Sequence, residues 1–245
     1  MNITEQSLIG ELVARDYRMA AVFNSHKIDF CCKGNRTIRE VCEDAELKPE
    51  DLLTELSRMT RQAAAVAMNP DTWPLDLLVD YIEKKHHRYV ESRMGEIEEL
   101  LKKLLRVHGV AYPELLEVEE LFHKCTRDLT VHMRKEELVL FPVIRKISAA
   151  MDRKEPMRPP RFGSVRNPIS MMHHEHEAEG ERFRNIAELT DNYTPPAEAC
   201  QTHRLTYALL KEFEEDLHVH IHLENNLLFP KAVEMEDKLA CLLPE

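Results

Sequence analysis

Apolar residues recur along most of this chain at intervals of three and four, the spacing that gathers side chains on one face of an α-helix. Glu5 to Ala14 and Tyr17 to Asn24 carry the pattern as short segments. An irregular stretch, SHKIDFCCKGNR (Ser25 to Arg36), interrupts it. Thr37, with Glu40 three residues on, predicts a capping box and a helix through Ile38, Val41 and Cys42. Pro49 takes the first turn of the next segment, a favoured place for proline. That segment runs to about Val66 with Leu52, Leu53, Leu56 and Met59 on its apolar side. MNPDTWP (Met68 to Pro74) then breaks the period with two prolines. It predicts a small helical N-terminal module over residues 1–66, a linker over 67–74 and a larger domain over 75–245.

Four long helical patterns fill the larger domain, and polar residues interrupt the apolar face of each. The first runs from about Leu75 to Val107, with Leu75, Leu78, Ile82, His86, Val90, Ile97 and Leu101 in line. The second, from about Pro113 to Ala149, aligns Leu121, Cys125, Leu129, His132, Glu136 and Leu140. A polar connection follows from Met151 to Asn167. The third, from about Pro168 to Thr190, aligns Met172, His176, Phe183 and Ala187. The fourth, from about Pro196 to Leu242, aligns Leu209, Phe213, Leu217, His220, Glu224 and Leu228. Pro142 and Pro230 lie deep in the second and fourth patterns and predict a kink or interruption in each. Four such helices predict an all-α bundle with a buried polar site. Scarce glycine, 6 residues, and the lack of strand-like alternation agree with that class.

The two interrupted patterns share a motif. HMRKEELVLFP (His132 to Pro142) and HIHLENNLLFP (His220 to Pro230) both read His, three residues, Glu, three residues, Leu-Phe-Pro. Residues four apart share a helix face, so each copy sets an imidazole beside a carboxylate. Each half of the domain supplies one histidine, then the His-x-x-x-Glu pair. The candidate ligands are His86, His132, Glu136, His176, His220 and Glu224. A carboxylate buried among leucines is costly without a partner, and bound cations supply one. Four imidazoles and two carboxylates suit two transition-metal ions, iron or manganese, better than a structural zinc site built on thiolates. Asp128 and Glu175 are candidates to line the site or orient a ligand. His87, His173, His174, His218 and His222 fall off the stripe and read as surface residues or outer neighbours of the site.

The balance of 33 basic against 44 acidic residues, net −11, argues against nucleic acid as a partner. No apolar run reaches the roughly 18 residues of a membrane span. The N-terminus lacks the basic flank and apolar core of a secretory signal. A cytoplasmic protein with reduced thiols is the expectation. Among six cysteines the vicinal pair Cys31-Cys32 stands out. Adjacent cysteines strain a mutual disulfide, and Lys27, Lys33 and Arg36 nearby would favour thiolate. Redox chemistry, transient iron binding, contact with a client and simple packing in a tight turn all fit the pair.

DFCCKG (Asp29 to Gly34), the paired His-x-x-x-Glu motifs, NPISMMHHEH (Asn167 to His176) and TPPAEAC (Thr194 to Cys200) together resemble the repair-of-iron-centres family, the ScdA/YtfE-type di-iron proteins. The resemblance covers nearly the whole chain. It implies a haemerythrin-like four-helix bundle holding two iron ions, bridged by carboxylates, on the six candidate ligands. It implies repair of iron–sulfur clusters damaged by nitric oxide or peroxide, through iron supply or nitric oxide removal. Damaged iron–sulfur proteins, nitric oxide and dioxygen are the implied partners, and a cytoplasmic homodimer the implied state. Two features depart from the family: Lys33 stands where Cys-Cys-Gly-Gly has its first glycine, and the 151–167 connection is long. Two other functions fit the residues: a haemerythrin-like oxygen or nitric oxide carrier or sensor, and a metal-free structural bundle. Oxygen carriers use a further histidine one turn beyond the third-helix ligand. Gly180 stands there, which withdraws a ligand and leaves room.

Overall fold

The computed structural model describes residues 3–61 and 69–241, and it is helical throughout apart from turns and one isolated bridge, Leu8 to Thr37. The expected continuation of the module's last helix to Val66, the 67–68 part of the linker and Leu242 lie outside the described residues. The module contains α1 (Ile9–Arg15), α2 (Met19–Ser25), α3 (Ile38–Asp44) and α4 (Pro49–Arg61). The first two start later than the pattern suggests, because Glu5 to Leu8 form a turn and the bridge ahead of α1 and Tyr17 and Arg18 form a turn ahead of α2. The capping box forms: Glu40 N–H donates to Thr37 Oγ1 at 3.2 Å and Thr37 N–H to Glu40 Oε2 at 2.7 Å.

Each long pattern is a rod, three of them carrying a widened π turn at the motif. The first is α5 (Leu75–Tyr81), π1 (Ile82–His87) and α6 (Arg88–His108). The second is α7 (Glu114–Lys135), π2 (Glu136–Leu140) and α8 (Phe141–Arg153). The third is α9 (Arg166–Leu189). The fourth is α10 (Gln201–Leu223), π3 (Glu224–Leu228) and α11 (Phe229–Ala240). Residues 196–200 lie ahead of α10 and are not helical. Pro142 and Pro230 sit in the first turns of α8 and α11. Each lacks the N–H that would serve a carbonyl four residues back. The π turn absorbs that defect, so the α-helix is interrupted beside each proline, as expected, while the rod continues.

α6 packs beside α7 and α10, and α9 packs beside α7 and α10, closing a four-rod ring. Two apolar clusters form the core. One contains Val90, Ile97, Leu129, Met133, Phe183, Phe213, Leu217 and Ile221, together with module residues Ile9, Phe23, Phe30 and Ile38. The other contains Leu78, Ile82, Leu140, Phe141, Met172, Leu227 and Leu228. The motif histidines and glutamates fall between the two in every rod. They form a polar layer across the bundle, walled by leucine, isoleucine and phenylalanine above and below. Among the described residues no helix is long and apolar enough to cross a membrane.

Candidate metal centre

Six buried side chains converge in this layer as two overlapping groups. His87, Glu136, His220 and Glu224 form one, and His132, Glu136, His176 and Glu224 the other, each with ligand atoms within 4.8 Å of one another. The two glutamates belong to both. Each group takes one ring from either half of the domain. His87 Nε2 lies 3.2 Å from His220 Nε2, and His176 Nε2 lies 3.1 Å from His132 Nε2.

His86 does not join either group, and His87 takes the place expected of it. The cause is the π turn. From Ile82 an α-helix returns to the same face at residue 86, whereas a π turn adds one residue and returns at 87. His86 is buried beside the site instead. Its Nδ1 faces Asp216 at 3.0 Å and its ring stacks on His220 with centroids 5.8 Å apart. The sequence held one clue: His87 precedes His132 by 45 residues, close to the 44 between His176 and His220.

The hydrogen bonds on the outer sides of the rings fix which nitrogen faces inward. His87 Nδ1 meets Glu137 Oε1 at 2.9 Å, His132 Nδ1 meets Glu175 Oε2 at 2.8 Å, and His176 Nδ1 meets Asn225 Oδ1 at 2.8 Å. All three partners are acceptors, so each Nδ1 carries the proton and each Nε2 turns a bare lone pair inward. Those lone pairs meet carboxylate oxygens: Glu136 Oε2 at 3.4 Å from His87 and 3.3 Å from His132, and Glu224 Oε2 at 3.1 Å from His176. Neither oxygen of Glu136 has a well-formed hydrogen bond. Lone pair against anion is repulsive, and burying a carboxylate without a partner costs several kcal/mol. A cation between them removes both costs. The residues present therefore fit a metal pair, with nitrogen and oxygen donors throughout.

Without a cation, protons take its role. Burial works against charge on His132, yet Glu136 and Glu175 outweigh it and raise the ring to about 10. His87 is raised too, since Glu136, Glu224 and Glu137 overcome its burial. Glu224 is held well below the usual carboxylate range, the rings of His220 and His176 prevailing over burial. His220 is lowered by burial.

The outer candidates divide. Glu175 receives the His132 ring and is itself paired with Lys135; these two partners, against its burial, bring it to about 2. Asp128 stands away from the site and pairs with Arg182 at 2.9 Å. Arg182 also pairs with Glu179, a buried ion pair on α9 that periodicity did not single out. His222 is buried, 3.0 Å from Asn226 and edge-on to Phe30. His218 also packs on Phe30, while His173 packs on Phe229 and His174 bonds the Ser170 carbonyl. Glu137, Asp216 and Asn225 escaped the sequence reading because nothing in the pattern marks a partner of a ring.

Cys31 and Cys32 lie against the polar layer. Cys32 Sγ is 3.6 Å from the His176 carbonyl oxygen, and 3.8 Å from Cys31 Sγ. With Asp29 the two form a further group of potential ligand atoms. The expected thiolate is not favoured at Cys31. Its neighbour Cys32, its burial and Asp29 all push the thiol upward, and Lys27 and Lys33 are exposed. Gly180 has a different role from the one expected. A Cβ there would lie 3.6 Å from both Cys32 Sγ and Arg184 Nη1, so the room it leaves is occupied by Cys32 and Arg184.

Two family models match this chain. One is a haemerythrin HHE cation-binding domain, over residues 78–232, which spans all six converging side chains. The other is the ScdA N-terminal domain, a domain of unknown function, over residues 5–60. The iron-sulfur cluster repair protein YtfE of Musicola paradisiaca is 36% identical over 96% of this chain and 100% of its own length. The YtfE protein of Yersinia pseudotuberculosis is 33% identical, again over 96% and 100%. The iron-sulfur cluster repair protein ScdA of Staphylococcus haemolyticus is 29% identical over 94% and 99%. The chain belongs to the haemerythrin HHE cation-binding family and, by its full-length similarity, to the YtfE and ScdA family of iron–sulfur cluster repair proteins.

Proposed function

We propose that this chain holds two iron ions in the polar layer and uses them to repair iron–sulfur clusters damaged by nitric oxide or peroxide. One observation carries the reading: three inward-facing Nε2 atoms converge on the buried Glu136 and Glu224 carboxylates, and neither Glu136 oxygen nor Glu224 Oε2 has a well-formed hydrogen bond. In this reading His87 and His220 hold one ion, His132 and His176 the other, and Glu136 and Glu224 reach both. Bound iron would supply releasable metal and an exchangeable position for nitric oxide or dioxygen. The chain's own part is to keep the rings in one tautomer, through Glu137, Glu175 and Asn225, and to exclude water with the apolar clusters on either side. The names of its relatives support the repair role, and the resemblance supports a cytoplasmic homodimer acting on damaged iron–sulfur proteins.

A haemerythrin-like carrier or sensor of oxygen or nitric oxide is the second reading. The docked Cys31–Cys32 turn favours repair, because it covers the His176 side of the layer with groups a simple carrier has no use for. The test uses a cluster enzyme inactivated by nitric oxide and the iron-loaded full chain. Recovery of the client by the wild type, with loss of recovery in Glu224→Ala, is the expected outcome. Reversible dioxygen binding by the reduced protein, with no recovery of the client, favours the carrier instead.

A further inference from the structure

The partners of the inward-facing rings are not alike. His87 and His132 are each held by a carboxylate, Glu137 and Glu175, and each carboxylate is anchored by a cation of the bundle, Arg88 or Lys135. His176 is held by the side-chain amide of Asn225. That amide spends its other end on the N-terminal module: Asn225 Nδ2 donates to the Cys31 carbonyl at 3.2 Å. The same turn touches the His176 backbone through Cys32 Sγ. Its seat is shared by Asn226, which donates to the carbonyls of Phe30 and Cys31 at 3.2 and 3.3 Å. One amide thus fixes a ring of the metal layer and the Cys-Cys turn together.

We infer that Asn225 is a positioning residue that ties the hold on one of the two ions, the one between His132 and His176, to docking of the Cys31–Cys32 turn. When the turn is seated, the amide is held at both ends and keeps His176 aimed inward. When the turn lifts, the amide is freed and the His176 ring loses its fixed orientation. The other ion keeps its grip, because the partner of His87 lies wholly within the bundle. The device suits a protein that gives up iron to a client: contact at the module releases one ion and retains the second. This inference rests on the two-iron reading above.

The physical basis is general. A ligating histidine takes its orientation and basicity from the acceptor on its other nitrogen, and losing that acceptor weakens metal binding about 10–100-fold. Gly34 provides a handle on the turn that touches no ring. A Cβ at Gly34 would fall 2.6 Å from the Phe30 carbonyl oxygen and 2.7 Å from Asn226 Oδ1, so Gly34→Ala forces the turn off its seat. Asn225→Asp separates the two ends of the amide, since a carboxylate still accepts from His176 and cannot donate to Cys31.

The test loads the full chain with ferrous iron anaerobically and follows its release to a coloured ferrous chelator. Wild type is expected to hold two ions and release them in two phases. Asn225→Ala is expected to speed one phase about 10–100-fold and leave the other unchanged. Gly34→Ala is expected to speed the same phase. In the Asn225→Asp background the charge-assisted bond holds the ring without the turn, as Glu137 and Glu175 hold theirs, so that phase stays slow and Gly34→Ala no longer affects it, a double-mutant cycle that isolates the link. The Asp variant also separates positioning from mere structure, because it restores the acceptor while breaking the tie. Two ions released at wild-type rates by Asn225→Ala, or equal effects of Gly34→Ala in both backgrounds, overturn the inference. A wild-type chain that binds no iron overturns the two-iron reading itself, and this inference with it.

Discussion

His86 and His87 are neighbours with opposite expected roles, and replacing each with alanine separates them. Both rings are 0% exposed, so truncation leaves a comparable hole in either case. A buried ring removed to alanine costs about 3–5 kcal/mol, or roughly 6–20 °C in Tm for a chain of this size. That cost falls on both variants, so the difference between them reports the metal. Loss of an outer partner alone weakens metal binding about 10–100-fold. Removing a ligand itself is expected to exceed 100-fold, about 2.8 kcal/mol. His86 reaches the site only through its stacking on His220, so its loss is expected to cost tenfold at most. After anaerobic reconstitution and desalting, His87→Ala is expected to retain one iron per chain and His86→Ala two, with similar thermal midpoints once the metal is chelated. Retention by His87→Ala and loss by His86→Ala refutes the π-turn argument and returns the ligand to the α-helical register.

Metal loading is also expected to stabilise the fold: at a free ion concentration 1,000 times Kd the gain is about 4.1 kcal/mol, or roughly 8–16 °C. Calorimetry with and without a chelator checks it, and Glu136→Ala/Glu224→Ala is expected to abolish the difference. Thr37→Ala removes the cap of α3 and is expected to lower stability by about 0.5–2 kcal/mol in denaturant titration without changing iron content. Glu214 is raised from 4.5 to about 7, burial outweighing the opposing influence of the nearby Tyr193 hydroxyl. A carboxyl raised in the fold contributes fully below its unfolded value and loses that contribution as pH rises through about 7. Glu214→Gln is therefore expected to raise the thermal midpoint at pH 8 and leave it unchanged at pH 4; an equal effect at both would contradict the assignment.

The all-α class, the four rods and most of the polar layer were legible because helical periodicity and the doubled His-x-x-x-Glu pattern are local signals. Their failures are local too. A π turn changes the register by one residue, and no propensity in EKKHH announces it, so the first ring was misplaced by one position. The prolines did announce a defect, but the sequence does not say that a π turn preceding each would absorb it. Asn225 and Glu137 were invisible because a hydrogen bond across rods leaves no period. Gly180 shows the same limit: a missing side chain marks space, and only the fold says that Cys32 and Arg184 occupy it. The thiol pair misled in the opposite direction. Lys27 and Lys33 are near Cys31 in sequence but exposed, while Asp29 and Cys32 face its sulfur.

Anomalous diffraction at the iron edge from crystals of the reconstituted chain tests the two-site centre most directly. Two peaks are predicted in the polar layer, one between His87 and His220 and one between His132 and His176, both within reach of Glu136 and Glu224. A single peak, peaks outside this layer, or none after reconstitution contradicts the account.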